Sequence, residues 1–222
     1  MNASTYKPLH RFLFLPLFAA ALVIAPASTS IANPSSNAAS ANKASAQETR
    51  MAMRKLWEDH ITYTRNYIIS ALGGLGDADA VAARLMKNQE DIGNAIKPYY
   101  GDAAGNKLTG LLKEHIKQAA VVVTAAKAGD AKKLAAEQAK WSVNGKEIAA
   151  FLAGANPNWK QAELESMLQK HLDLTTGEVV GRLKKDWAAD QRSYDQGHAH
   201  MLMFADALTN GIAKQFPAKF KP

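Results

Sequence analysis

The sequence predicts an all-α fold, an antiparallel four-helix-bundle-like single domain with two additional short helices, and three observations carry that prediction. Apolar residues recur at spacings of three and four along most of the chain beyond residue 47, which is the period of one helical face. Capping patterns stand before these runs and Gly or Pro clusters stand after them, as helix boundaries require. Period-two alternation between hairpin turns is missing, so a sheet has no support.

The elements follow in order. Lys7 and Arg11 precede an apolar run over 12–24 and the small-residue steps Ala25-Pro26-Ala27 and Ser30-Ile31-Ala32. This is the form of a cleaved secretory signal peptide, residues 1–32, because the run is shorter than the ~18 residues that span a bilayer. A periplasmic or secreted protein with no membrane span after cleavage is therefore expected. Residues 33–47, almost wholly Ala, Ser and Asn, read as a flexible leader. Ser45-Ala46-Gln47-Glu48 has the capping-box form and opens a helix over 48–72, stopped by Gly73, Gly74 and Gly76. Asp77 can cap a second helix that reaches Ile96 and ends at Lys97-Pro98 and the turn-like Tyr99-Tyr100-Gly101-Asp102. Leu108, Leu111, Leu112, Ile116, Ala119, Val122 and Val123 form the stripe of a third helix over 103–128. After the break at Gly129-Asp130, a fourth helix over 131–153 closes at Gly154-Ala155-Asn156-Pro157. A short fifth helix over 159–173 precedes a second capping-box pattern, Thr175-Thr176-Gly177-Glu178. That pattern is expected to open the last helix, over 176–214 with a bend at Gly197, ahead of Pro217. The bundle domain is thus 48–216, with a basic tail at 217–222. Lys214, Lys219 and Lys221 with Phe216 and Phe220 are expected to fray into solvent.

Composition narrows the chemistry. The 222 residues hold 27 Lys+Arg against 20 Asp+Glu and no cysteine. That excludes disulfides, thiolate metal sites, thiol nucleophiles and covalently attached c-type haem. The formal charge of +7 falls to +5 once Lys7 and Arg11 leave with the signal. The one dense basic group, Arg182, Lys184 and Lys185, reads as a solvated face, and without a basic stripe interleaved with aromatics no nucleic-acid partner is expected. Trp57, Trp141, Trp159 and Trp187 are dispersed, as core anchors are. The polar run Asn88-Gln89-Glu90-Asp91 could line a pocket with Arg65, and its expected place is the water-facing side of the second helix. Nucleophile elbow, phosphate loop, dinucleotide fingerprint, zincin motif and the paired Glu-x-x-His of di-iron bundles are all missing, so an enzyme is not expected.

Histidine placement is the strongest chemical signal. His115 follows Leu111 and Leu112 and precedes Ala119 on one stripe; His171 stands likewise to Met167 and Leu168. His60 follows Leu56 by four, and His198 and His200 sit among Tyr194, Met201, Leu202, Met203 and Phe204. Most are expected to point inward, with His200 on the adjoining strip. His60 and His115 lie at mid-helix, so antiparallel packing brings them to one level, where a histidine of the last helix can join them. Several neutral imidazoles in one bundle suit a transition metal, with Asp195, Glu58 and Glu114 as second-shell candidates. The Met-x-Met pairs Met51/Met53 and Met201/Met203 favour copper; zinc is the other candidate, and haem b held by histidine is a less favoured cofactor. Clustered histidines are further expected to protonate between about pH 5 and 7, repelling one another or releasing a metal.

Leu56-Trp57, His60, Thr64-Arg65 and Ile68-Ile69-Ser70, with Asn88 to Ile92, Glu114-His115 and His171 to Thr175, give the chain a further aspect. Along most of its expected mature length it resembles an uncharacterised group of exported bacterial all-helical proteins. The resemblance implies no activity, cofactor or functional residue. The leading expectation is an exported bundle holding copper or zinc through His60, His115, His198, His200 and His171, for storage, buffering or sensing. Its rival is a structural or stress-response bundle that binds partner proteins through an apolar groove, with the histidines as buried polar locks.

Overall fold

A computed structural model describes residues 44–221; the expected signal peptide and most of the leader lie outside them. The chain is all-α: among the described residues there are five α-helices, one short 3-10 turn and no strand. The helices are α1 (Ala46–Gly73), α2 (Ala78–Ala128), α3 (Ala131–Ala155), α4 (Gln161–Leu183) and α5 (Trp187–Gln215), followed by the turn Pro217–Lys219.

α1 begins at the anticipated capping box. The Glu48 amide donates to Ser45 Oγ at 3.0 Å and the Ser45 amide to Glu48 Oε2 at 2.6 Å, so two orphan amides are satisfied reciprocally. Asp77 occupies the N-cap position of α2 but makes no side-chain cap bond. α2 is not straight. Gly101, at φ 83° and ψ 170°, takes a backbone conformation open to glycine almost alone, and Pro98 removes an amide just before it. The two arms, 78–100 and 102–128, fold back on each other, with Lys113 Nζ 2.6 Å from Glu90 Oε1. The expected break was therefore legible from Pro98 and Gly101.

Close approach of these arms depends on glycine. A Cβ on Gly93 would stand 2.6 Å from the Gly105 carbonyl and collide with Thr109. Gly93→Ala is expected to force the arms apart and destabilise the fold by about 2 kcal/mol, an overpacking cost, read as a lowered urea midpoint. An unchanged midpoint would show that the arms separate freely.

The later boundaries differ from the expectation. α4 runs unbroken through Thr175-Thr176-Gly177-Glu178 because none of these residues caps anything. Thr175 Oγ1 donates to the His171 carbonyl at 2.9 Å, and Glu178 is buried against Arg65. The break falls instead at Lys184–Asp186, where Lys185 takes φ 58° and Asp186 caps α5 by accepting from the Ala189 amide at 2.9 Å. Gly197 lies inside α5, facing Leu174 of α4.

Each arm packs antiparallel to the next, and the ring closes on itself: α1 lies against α2 and α5, α3 bridges α2 and α4, and α4 lies against α5. Cross-links between the first and last helices, such as Arg54 with Asp206 and Arg65 with Asp190, record that closure. The core is a continuous apolar cluster that includes Trp57, Ile92, Leu112, Ile148, Leu168 and Phe204; Phe204 is fully buried and meets Trp57 edge-on at 5.0 Å.

Three sequence readings are corrected here. The chain end does not fray: Phe220 is buried and stacks on Tyr99 at 5.7 Å, and the Lys221 amide donates to the Ala44 carbonyl at 3.2 Å. Trp57, Trp141 and Trp159 anchor the core, but Trp187 is 55% exposed. Asn88 and Gln89 do not face water; both are completely buried.

Candidate functional site

His60, His115 and His171 stand in one layer at the centre of the ring. Each comes from the middle of its helical arm, and antiparallel packing of arms of similar length brings mid-helix positions to one level. The His60 and His171 rings are centred 5.5 Å apart, and the His115 and His171 rings 5.9 Å apart. His171 is the shared neighbour. Trp57 closes one side against His60 at 5.5 Å, and Trp141 closes the other against His115 at 5.3 Å. All three histidines are 2% exposed.

The expected pair of His60 and His115 is thus brought together, with a third partner from α4 and not from α5. The height of His171 was illegible because α4 was read as ending at 173, near its true middle. His198 and His200 fail on direction. The inward stripe of α5 is Gly197, Met201, Phe204, Ala205 and Leu208, and residues beside that stripe are turned to its flanks. His198 Nε2 meets Glu58 Oε1 at 3.1 Å in an exposed contact, and His200 Nε2 meets the Met167 carbonyl at 2.7 Å. Glu58, Glu114 and Asp195 are all exposed, so no carboxylate of the expected second shell reaches the layer. The methionine pairs split as well: Met53 and Met201 are in the core, while Met51 and Met203 are 63% and 56% exposed, since residues two apart on a helix point to opposite sides.

Burial holds the three imidazoles neutral. Desolvation lowers His60 to about 3, with His115 nearby adding repulsion, and lowers His115 to about 4. His171 is lowered well below the ordinary value, first by burial and then by His60, His115 and His200. The expected protonation between pH 5 and 7 is therefore displaced to lower pH, because a charged ring in this layer would lose its hydration without a counter-ion.

A side-chain amide fixes the tautomer of one ring. Asn88 Nδ2 donates to the Leu56 carbonyl at 3.0 Å, which leaves its Oδ1 to accept from Gln89 Nε2 at 3.2 Å. Gln89 Nε2 also donates to the Leu85 carbonyl at 2.8 Å and lies 3.3 Å from His60 Nδ1. The two N–H groups of Gln89 are thus committed to Leu85 and Asn88, and its contact with His60 sets no tautomer. Across the layer, Asn144 Nδ2 donates to the Leu111 carbonyl at 3.2 Å, so Asn144 Oδ1, 2.8 Å from His115 Nδ1, is an acceptor. His115 donates from Nδ1 and keeps a lone pair on Nε2.

Five buried polar atoms around this layer have no partner: Trp57 Nε1, Thr64 Oγ1, Gln89 Oε1, Trp141 Nε1 and His171 Nδ1. Unsatisfied groups are uncommon in protein interiors and mark places where water or an ion belongs. Thr64 and Trp141 also line a cavity of about 20 Å³, bounded by Tyr67, Leu85, Ile116 and Thr175 among others. That is room for about one water.

A buried ion cluster lies one helical step from Thr64. Arg65 donates to Asp190 Oδ1 at 2.9 Å, Asp190 Oδ2 at 3.1 Å and Glu178 Oε2 at 3.0 Å. Its guanidinium also lies 4.6 Å from the centre of the Tyr194 ring, and Arg182 reaches Asp190 Oδ2 at 3.0 Å. Burial raises Glu178 to about 7 against the pull of Arg65. Glu178, Asp190, Asn144 and Gln89 are residues that sequence reasoning missed or misplaced. The available signal was helical phase: Glu178 follows His171 and Thr175 along one face.

Among the described residues no group of three His, Asp or Glu side chains is placed to hold a metal ion as it stands. Comparison of the chain with protein-family models, curated proteins and solved structures gives no match.

Proposed function

We propose that this chain is an exported helical-bundle binding protein that takes a transition metal, copper or zinc, at the layer of His60, His115 and His171, for storage, buffering or sensing. The observation that carries this reading is three neutral imidazoles from three separate helical arms in one desolvated layer, with His171 Nδ1 unpartnered. Neutral imidazole is the ligand form, and its low proton affinity here reduces competition from protons. Zinc takes imidazole nitrogen as a ligand, and His115 and His171, with ring centres 5.9 Å apart, are the pair that would hold it. His115 has the arrangement common among metal-bound histidines, donating one ring N–H to a carbonyl oxygen and leaving the other nitrogen free. Haem fits less well, since a macrocycle needs the helices to separate around a cavity of about 20 Å³.

Elemental analysis of protein purified without a histidine tag or chelator, followed by titration with copper and zinc, tests the reading. The expected result is about one ion per chain, lost in His115→Ala and His171→Ala and kept in His198→Ala. Failure to take up either ion, or loss only on changing His198 or His200, overturns it.

A second reading has its own support. His60 is buried with Nδ1 3.3 Å from Gln89 Nε2, which suits a ring that serves as a buried polar lock in a bundle binding partner proteins. Under that reading His60→Leu loses no metal and broadens the side-chain NMR signals of the core.

A further inference from the structure

Three connections lie at one end of the ring, because the arms they join alternate in direction: Gly74–Asp77 between α1 and α2, Gly129–Asp130 between α2 and α3, and Lys184–Asp186 between α4 and α5. The first two turn on glycine in the left-handed region, Gly74 at φ 64° and Gly129 at φ 69°. The third turns on Lys185 at φ 58°, the one non-glycine residue with positive φ among the described residues. A Cβ in that region is strained. Glycine would make the same turn without strain, so the lysine side chain points to a use other than folding.

Its surroundings suggest the use. Residues 183–188 are exposed without interruption, and they include Leu183 at 41% and Trp187 at 55%. The Arg182 guanidinium lies 5.5 Å from the Trp187 ring centre while its charge is spent on Asp190. The nearest acid in sequence, Asp186, is occupied by the Ala189 amide. Lys184 and Lys185 are exposed and make no ion pair among the described residues. The tip thus presents an indole, an aliphatic side chain and two uncommitted ammonium groups beside the Asp186 carboxylate, on a chain whose formal charge beyond residue 32 is +5.

We infer that the α4–α5 tip is a membrane-surface contact that seats Trp187 and Leu183 at the headgroup level of an anionic bilayer, with Lys184 and Lys185 against lipid phosphates. Trp favours the membrane–water boundary because its ring is apolar and its N–H is polar, and each lysine beside an anionic leaflet adds to the attraction. A six-residue projection is small for a stable protein partner, which needs about 800 Å² from each side. A fluid bilayer instead deforms around it.

Trp187 supplies the probe, since the other three tryptophans are 2%, 3% and 6% exposed and iodide quenching of the free protein reads the tip. With vesicles of phosphatidylcholine mixed with phosphatidylglycerol, the expected result is co-sedimentation, a blue-shifted emission and protection from iodide. Pure phosphatidylcholine vesicles are expected to give none of these. Lys184→Gln with Lys185→Gln is expected to weaken partitioning about thirtyfold. Lys140→Gln with Lys146→Gln, which removes the same charge from α3, is expected to leave it within about twofold. Lys185→Gly separates use from folding: it is expected to raise Tm by relieving the turn and to lower partitioning about fivefold. Equal binding to both vesicle types, equal weakening by the two double variants, or a Trp187 response to soluble polyglutamate without one to vesicles overturns the inference.

Discussion

Acidification of the metal-free protein from pH 6.5 to pH 4.5 is expected to remove about 5 kcal/mol of stability, as much as many domains possess. The sign follows from His60, His115 and His171. An unfolded chain binds their protons near 6.5, while the native layer refuses them until about 3 for His60, about 4 for His115 and well below the ordinary value for His171. Below pH 6.5 the unfolded state therefore takes up about three protons that the native state does not, and stability falls with pH. Glu178 works in the opposite direction. Its native value of about 7 exceeds the unfolded 4.5, so the native state holds one extra proton between those limits, and its contribution is full at low pH and lost as pH rises through that window. The net difference is about two protons, or about 3 kcal/mol per pH unit. Below pH 4.5 the Glu178 term ends and the slope steepens until His115 itself titrates. Urea midpoints measured at half-unit steps from pH 8 to pH 4 should show a plateau above about pH 7.5, a fall below it and this break in slope. A flat profile between pH 6.5 and pH 4.5 would mean that the histidine layer is solvated.

Arg65→Met is expected to destabilise the fold by about 3–5 kcal/mol at pH 8. The substitution keeps an apolar stem of similar length and removes the cation facing Glu178 and Asp190. Asp190 retains Arg182, but Glu178 is left with its burial and without a partner. A carboxyl so placed takes a proton instead of remaining charged, so the loss should shrink at pH 5.5 relative to wild type measured at the same pH. The double variant Arg65→Met with Glu178→Leu is expected to recover much of the loss, since a fully apolar replacement removes the desolvation cost as well as the pair. If the double variant is no better than the single one, the cluster is held mainly by packing of the Arg65 stem on Tyr194.

The limits of legibility fall along a physical line. Periodicity and caps gave α1, the two arms of α2 and α3, because Ser45, Pro98, Gly101 and Gly129 act locally on the backbone. The α4–α5 boundary escaped because Lys185 makes a turn that lysine seldom makes, while Thr175 to Glu178 imitate a cap that tertiary burial overrides. Two of the three central histidines, His60 and His115, were legible from stripe and height. The amides packed beside them were not, since Asn88, Gln89 and Asn144 resemble surface residues until their partners across the core are known. His198 and His200 show the limit of pattern alone: one residue of phase, about 100° around a helix, separates the core from its flank.

The contact between Lys221 and Ala44 places the two ends of the helical ring side by side, so its topology has no privileged starting point. A circular permutant that joins residue 221 to residue 44 through a short Gly-rich link, and opens between Gly74 and Asp77, keeps every helix whole. In such a chain α5 and α1 become sequence neighbours, and pairings that now span nearly the full domain, such as Arg54 with Asp206, become local. The long-range closure is moved and not removed, because α1 and α2, neighbours now, become the pair that spans the permuted chain; folding at a similar rate and with similar stability is the consequence.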